Sequence, residues 1–492
     1  MSQHDVKALA SLETIPLEIQ QLIFEFLCPH CCSNSPFDFS QASYHRDFNS
    51  LALTSKSLRP LAQPFLVHRP HEYLGMADLF HLLDTQGQLG AHVKEVELNF
   101  GKPKPEELKF FKQIARKLLV AAGNDPDLEE NNLEGLITET FDTELLMVLA
   151  PELEALRVEI WDWEDSTWEN WPQTDLKYLS ERLKKPGHSP GFESVRYLEF
   201  ERPCRCVTNL SSPTIPTLLS ATPNLRHLKL IQIIGNPSRH TFDFNNIQPA
   251  LQSLTTIELS YCTFDGELET SDFGLLRQML QSALALKCFK FIAGRSAGAP
   301  SFVDHDVPPS AFIAALRPRR AHLRHLQLDF SDFPYFESVE KSELSQFSLL
   351  ETLELSIDCF ETCRLEVDET IEHPDNLCLS TMIPLTVKRL SINQGYCGMD
   401  FTSGIQHLIK KYVAGGFPAL EVLEIESMNG LPGSDETDVS AFDSFLGPLE
   451  IISQLLNGSS VSLRFKGPIY AAVKRAIGDK LSWMNVDDMH QD

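Results

Sequence analysis

LRHLKL, residues 225–230, reads apolar-x-x-apolar-x-apolar. Side chains alternate along an extended chain, so Leu228 and Leu230 share one face while His227 and Lys229 share the other. The pattern recurs as VKEVEL from Val93, LEALRV from Leu153, VRYLEF from Val195, LTTIEL from Leu254 and LKCFKF from Leu286. It continues as LRHLQL from Leu323, LETLEL from Leu350, VKRLSI from Val387 and LEVLEI from Leu420, with a weaker copy at Val461–Phe465. From Val195 onward successive starts lie 27 to 37 residues apart, and the two earlier gaps are longer. Self-similarity at such a period marks a repeat array.

What precedes the cassettes is also repeated. LLMVLAPELEAL, IPTLLSATPNLRHL and IQHLIKKYVAGGFPALEVL each read as a helix, a proline and then a strand. Pro151, Pro223 and Pro418 cannot continue a helix and bias the preceding residue to extended backbone. Gly415 and Gly416 add a helix-end signal. The expected fold class is therefore α/β: a solenoid with a parallel sheet on its concave side and helices on its convex side, sealed by a continuous apolar seam. The cassettes resemble leucine-rich repeats in their longer, irregular form, over residues 91–466. The Asn or Cys a few residues beyond the strand is missing from most copies, with Cys262 a partial exception.

In such an array the outward strand positions line the concave surface. One row is Glu97, Arg157, Glu199, Lys229, Glu258, Lys290, Gln327, Glu354, Ser391 and Glu424. Its neighbour is Glu95, Ala155, Tyr197, His227, Thr256, Cys288, His325, Thr352, Arg389 and Val422. Singly these are solvated charges; as an array they are the candidate partner surface. Tyr197, Glu199, His227, Lys229, Glu258, Lys290 and His325 are the candidate substrate contacts on it. Trp168 and Trp171 join them from EIWDWEDSTWENWPQTD, which holds four of the five Trp, because Trp buries a large area with few rotors.

The N-terminal stretch is of another kind. SLETIPLEIQQLIFEFL places Ile15, Ile19, Leu22, Ile23, Phe26 and Leu27 on one helical face. Thr14 is the expected N-cap, with Pro16 in the first turn and Glu18 at the positive end of the dipole. In DFNSLALTSKSLRPLAQPFLV, Pro60 and Pro64 are expected to cut the chain into short helical pieces. Two or three short helices make too small a core to stand alone and should seek apolar surface elsewhere. IPLEI, IFEFL and LALTSKSLRPLA resemble the F-box, with Ile15 in place of the usual Leu and an insertion of residues 29–47 between the halves. The resemblance implies an F-box over residues 1–69, joined through a connecting helix at 70–90 to repeats over 91–466, with a C-terminal cap and acidic tail at 467–492.

An F-box followed by irregular leucine-rich repeats resembles the substrate-receptor subunits of SCF-type ubiquitin ligases. The resemblance implies a non-catalytic adaptor that docks on the Skp linker subunit, and through it a cullin, while the repeats hold a substrate protein. Among the docking residues would be Ile15, Pro16, Leu17, Ile19, Ile23, Leu51, Ser55 and Leu58. A scaffold working outside a ligase is the first alternative. A zinc or thiol-redox protein centred on Cys28-Pro29-His30-Cys31-Cys32 is the second. For redox chemistry the helix dipole has the wrong sign at Cys28, which follows the C-terminus of the first helix. A zinc clip of Cys28, Cys31 or Cys32, His30 and His45 is chemically sensible. An irregular loop with free thiols is the favoured reading, so no metal and no cofactor is expected.

Composition narrows the classes. The chain of 492 residues has 42 basic and 68 acidic side chains, a net charge of −26. Nucleic acid and anionic membrane both need a basic footprint, so neither is the expected partner. The N-terminus lacks a charged-then-apolar leader, and no apolar run is long enough to span a bilayer. Eleven cysteines without a dense framework point to reduced thiols, hence to the cytoplasm or nucleus. No phosphate-cradling glycine loop, nucleophile elbow or H-E-x-x-H pair is present, so no catalytic residue is assigned.

Overall fold

The computed structural model describes residues 12–32, 36–37, 44–70, 76–100, 105–121, 141–160, 192–201, 210, 214–232, 244–262, 264, 272–294, 307–330, 344–356, 382–394, 408–427, 456 and 461–466. The four Trp of residues 161–171, the C-terminal segment after Lys466 and the long loops from Gly294 and Met428 lie outside them, wholly or in most of their length. The chain forms two compact units, residues 1–203 with 213–225, and residues 204–212 with 226–492.

The first unit opens with α1 (Leu17–Leu27), α2 (Pro29–Cys32), α3 (Tyr44–Thr54), α4 (Arg59–Leu66) and α5 (Met76–Thr85). β1 (Glu95–Phe100), α6 (Pro105–Ala121), α7 (Phe141–Leu149), β2 (Ala155–Ile160), β3 (Tyr197–Glu201) and α8 (Thr214–Ala221) complete it. The second unit runs β4 (His227–Ile231), α9 (Phe244–Ser253), β5 (Thr256–Cys262), α10 (Asp272–Ser282), β6 (Cys288–Ala293), α11 (Pro309–Leu316) and β7 (His325–Asp329). It ends with β8 (Thr352–Ser356), β9 (Arg389–Gln394), β10 (Val422–Ser427) and β11 (Ser462–Lys466). Every cassette carries a strand, the weak copy at Val461 included. The strands are parallel and follow chain order, β1 to β3 in the first unit and β4 to β11 in the second. Among the described residues no helix is long and apolar enough to cross a membrane.

The register follows the cassettes residue for residue. Lys229 pairs with Glu258, Glu258 with Lys290, Lys290 with Gln327 and Gln327 with Glu354. The three apolar positions of all ten cassettes are at most 5% exposed. Just ahead of each strand the backbone starts its own ladder: Lys287 N–H donates to Thr255 O, Arg324 to Lys287 O and Glu351 to Arg324 O, at 2.7–2.8 Å. A one-residue slip would turn each buried row outward, which fixes the pairing.

Helices close the seam. On α11 Pro309, Phe312, Ile313 and Leu316 are buried at helical spacing. Phe312 is the centre of an aromatic cluster, its ring 4.3 Å from Phe291, 5.0 Å from Phe273 and 5.7 Å from Phe330. The helix at 408–413 ends where Gly415, at φ +82°, donates to Tyr412 O and Gly416 donates to Lys411 O. Those bonds satisfy the last-turn carbonyls, as the two glycines lead one to expect.

Four local expectations need correction. Helix α1 starts at Leu17 with Pro16 itself in the cap position, and Thr14 lies in a separate short turn. Gln20 ties that entry down, donating to Leu12 O at 3.1 Å and Ile15 O at 2.9 Å. Pro64 does not end its helix: α4 runs through it for eight residues, since one lost bond late in a short helix is outweighed by burying Ala62 and Phe65. The Cys-rich stretch is not irregular but the turn of helix α2, and α3 starts inside the presumed loop, at Tyr44. Of the connecting segment, Met76–Thr85 is helical.

The helical module and β1 to β3 belong to one compact unit. The reason is visible at the end of α4. Lys94 and Glu95 N–H both donate to His68 O at 2.8 Å, and Arg69 Nε donates to the Glu95 carboxylate at 2.6 Å. The helical module is thus stitched directly onto β1.

Candidate functional site

The helical module has an inside and an outside. Phe24, Cys28, Phe48, Ala52, Leu58, Ala62 and Phe65 form its core, with Ile23, Leu51 and Leu61 packed on the edge. Phe48 stacks on Phe65 at 5.5 Å, and Phe24 meets both edge-on. Outward, Leu17, Ile19, Leu22, Phe26 and Leu27 of α1 and Leu53 of α3 are exposed, Phe26 to 79%. The face expected to be apolar is therefore mostly the solvent side. The helix also carries a second apolar line, Phe24 and Cys28, and that line is the one turned inward. Of the predicted docking residues, Pro16, Leu17 and Ile19 are exposed, and Ile15, Ile23, Leu51 and Ser55 are half-buried. Leu58, expected among the docking residues, lies in the core. Ser55 is used locally, its hydroxyl accepting from Leu58 N–H at 3.2 Å.

The outward strand positions of the first unit are covered. Arg157 Nε lies 2.9 Å from Glu199, and its Nη1 lies 3.6 Å from both Glu97 and Glu201. The Tyr197 hydroxyl donates to Glu199. Phe37, from the insertion, places its ring 4.7 Å from the Arg157 guanidinium and 5.8 Å from the Tyr197 ring. Its N–H donates to Glu95, the partner of Arg69. Tyr197 and Glu199, expected as substrate contacts, are consequently buried. Phe37 was not singled out in the sequence, and no local signal marks it.

In the second unit the row is partly exposed from Lys229 to Glu354, whereas Ser391 and Glu424 are buried. Glu258 sits between His227 at 3.7 Å, Lys229 at 4.0 Å and Lys290 at 4.0 Å, all partly exposed. Burial opposes its charge, but His227 and the two lysines hold its carboxyl below the usual range. Arg389 Nη2 pairs with Glu424 at 2.6 Å, and Arg464 approaches the same carboxylate at 3.6 Å. Both arginines belong to this surface, although the sequence singled out neither as a contact. Deeper, Asn393 donates to Asp329 at 3.0 Å and Phe330 N–H to the Ser356 hydroxyl at 2.8 Å.

His325 is drawn down to about 4 by burial first, then by the positive charges of Lys290 and Arg389, although Glu354 lies 3.6 Å from its Nε2. A histidine depressed in the fold binds fewer protons there than in the unfolded chain. Stability should therefore fall as pH drops from 6.5 towards 4, by about 2–3 kcal/mol in all. Urea midpoints across that window check this, with His325→Gln expected to flatten the profile. An equally steep profile in the variant would reject it.

A third constellation gathers at the end of α1. Cys28 Sγ lies 3.6 Å from His68 Nδ1, and Cys31 Sγ lies 3.7 Å from the same atom and 3.7 Å from His30 Nδ1. Cys28 and His68 are buried, His30 is half-buried and Cys31 is exposed. Cys28 is pulled down to about 4, chiefly by the Cys31 thiol donating to it, against burial and with help from His68; Cys31 is pushed up in turn. The sign is opposite to that expected from the dipole of α1, because the Cys31 thiol and His68 lie against the Cys28 sulfur itself. Cys32 faces away, donating to Phe26 O at 3.0 Å. His45 has its side chain outside the described residues.

A scan against protein-family models and a search of curated proteins both find no match for this chain.

Proposed function

We propose that this chain is a non-catalytic adaptor, the substrate receptor of an SCF-type ubiquitin ligase. The observation that carries the reading is the row Ile19, Leu22, Phe26 and Leu27, left in solvent by a module whose core is already filled from the other side. Isolated exposed apolar residues need no explanation, but a contiguous set on one helix marks an interaction surface. The Ile-Pro-Leu-Glu-Ile motif of the F-box resemblance leads into that helix. In this reading α1 docks on the Skp linker, and the parallel strands are irregular leucine-rich repeats. Substrate is gripped by the partly exposed surface of the second unit, among His227, Lys229, Glu258, Lys290, His325, Arg389 and Arg464. The adaptor does no chemistry. It raises the effective concentration of substrate near the ubiquitin-transferring subunits.

Ile19→Asp with Phe26→Asp tests the docking half. Both side chains are exposed, so the fold should survive, while a carboxylate at each buried contact should weaken binding to the purified Skp linker more than about a hundredfold. A folded double variant that binds as tightly as the wild type would sink the docking assignment. Pull-down of cullin with the wild type separates a ligase subunit from a scaffold.

A further inference from the structure

We propose that Cys28, His30, Cys31 and His68 form a closed zinc site. Their four donor atoms all lie within 4.8 Å of one another. Two thiols and two imidazoles are a donor set that suits zinc, with Zn–S near 2.3 Å and Zn–N near 2.0–2.1 Å. A tetrahedron with those bond lengths has S···N edges of about 3.6 Å. Three of the four S···N separations on the site are 3.6, 3.7 and 3.7 Å.

Hydrogen bonding alone accounts for this arrangement poorly. His68 Nδ1 is approached by two sulfurs at nearly the same distance, yet a ring nitrogen offers one proton or one lone pair. An ion at the centre satisfies every approach at once. The surroundings hold the ligands as a metal site requires. The His68 carbonyl accepts from Lys94 and Glu95, and its ring packs 4.8 Å from Phe65. His30 turns its other nitrogen, Nε2, to the Glu154 carboxylate at 3.9 Å, and Lys94 holds that carboxylate at 2.9 Å. A carboxylate behind a ligating imidazole is the usual outer support, fixing the ring's orientation.

Four protein ligands leave no open coordination position, so the role is structural. Cys28, His30 and Cys31 span one helical turn, and His68 arrives 40 residues later. The ion would clamp α2 to the segment that enters β1. Thiol-redox chemistry is the weaker fit, because Cys28 is fully buried and an attacking sulfur needs access. The site is independent of the adaptor reading and survives its failure.

The test uses the full chain, expressed with zinc and purified under reducing conditions without chelator. Elemental analysis should find about one zinc per chain. Cobalt substitution should give the intense visible bands of a tetrahedral thiolate site. Cys31→Ser, at an exposed position, should weaken zinc affinity by at least about a hundredfold in competition with a chromophoric chelator. Cys32→Ser, whose thiol faces away, should bind zinc as the wild type does. A folded wild type that takes up neither zinc nor cobalt overturns the proposal. So does a Cys31→Ser variant of unchanged affinity, or a Cys32→Ser variant that loses the metal.

Discussion

Phe312→Ala should cost the second unit about 3–5 kcal/mol, the range for removing a buried aromatic from a packed core. The side chain is fully buried on α11, and its ring lies between those of Phe273, Phe291 and Phe330. Those neighbours come from a helix, a strand and the end of another strand, each held by its own backbone bonds. Little of the hole can close, so the cavity adds to the lost transfer energy. Phe312→Leu keeps most of the volume and should cost clearly less. Urea denaturation of both variants, read as a shift in midpoint at constant slope, measures the difference. A midpoint for Phe312→Ala within error of the wild type would mean that the cluster does not hold this unit together.

The second large effect belongs to the first unit. Arg157→Met should destabilise it by about 3–5 kcal/mol, because breaking a buried pair leaves an uncompensated charge behind. The group left behind is Glu199, whose side chain is 1% exposed and which also accepts from the Tyr197 hydroxyl. Glu97 and Glu201 stand closer to solvent and suffer less. The mechanism makes a second prediction within the same experiment. Adding Glu199→Gln removes the stranded charge while keeping an acceptor for Tyr197, so the double variant should recover more than half of the loss. If the double variant is no more stable than Arg157→Met alone, packing on Phe37 is the cause, not charge.

These two sites differ in how far the sequence announces them. The apolar positions of LKCFKF put Phe289 and Phe291 in the seam by alternation alone. That Phe312 would meet Phe291 also follows in outline, since each helix must cover the strands beside it. Nothing in the sequence pairs Phe37 with Arg157 and Tyr197. The insertion that carries Phe37 has no periodicity, and its place over β1 to β3 depends on contacts far away in sequence. Tyr197 and Glu199 therefore look like surface residues until the fold is seen. Helix α1 shows a related ambiguity. It is apolar on two sides, so periodicity identifies a helix but does not select the side facing in; Phe48 and Phe65 make that choice. At the Cys cluster the spacing of Cys28, His30 and Cys31 is legible, whereas His68 comes from 40 residues on and nothing in the sequence prefers it to the nearer His45.

The residues alone determined the repeating strand, its two faces and the parallel order of neighbours. Those properties arise from local alternation and from a period that brings like to like, and both are written in consecutive residues. Only the tertiary structure decided which side of α1 faces solvent, which strand charges are covered and which histidine joins the thiols. Each of those depends on groups distant along the chain, brought together by burial of the whole and not by any local preference.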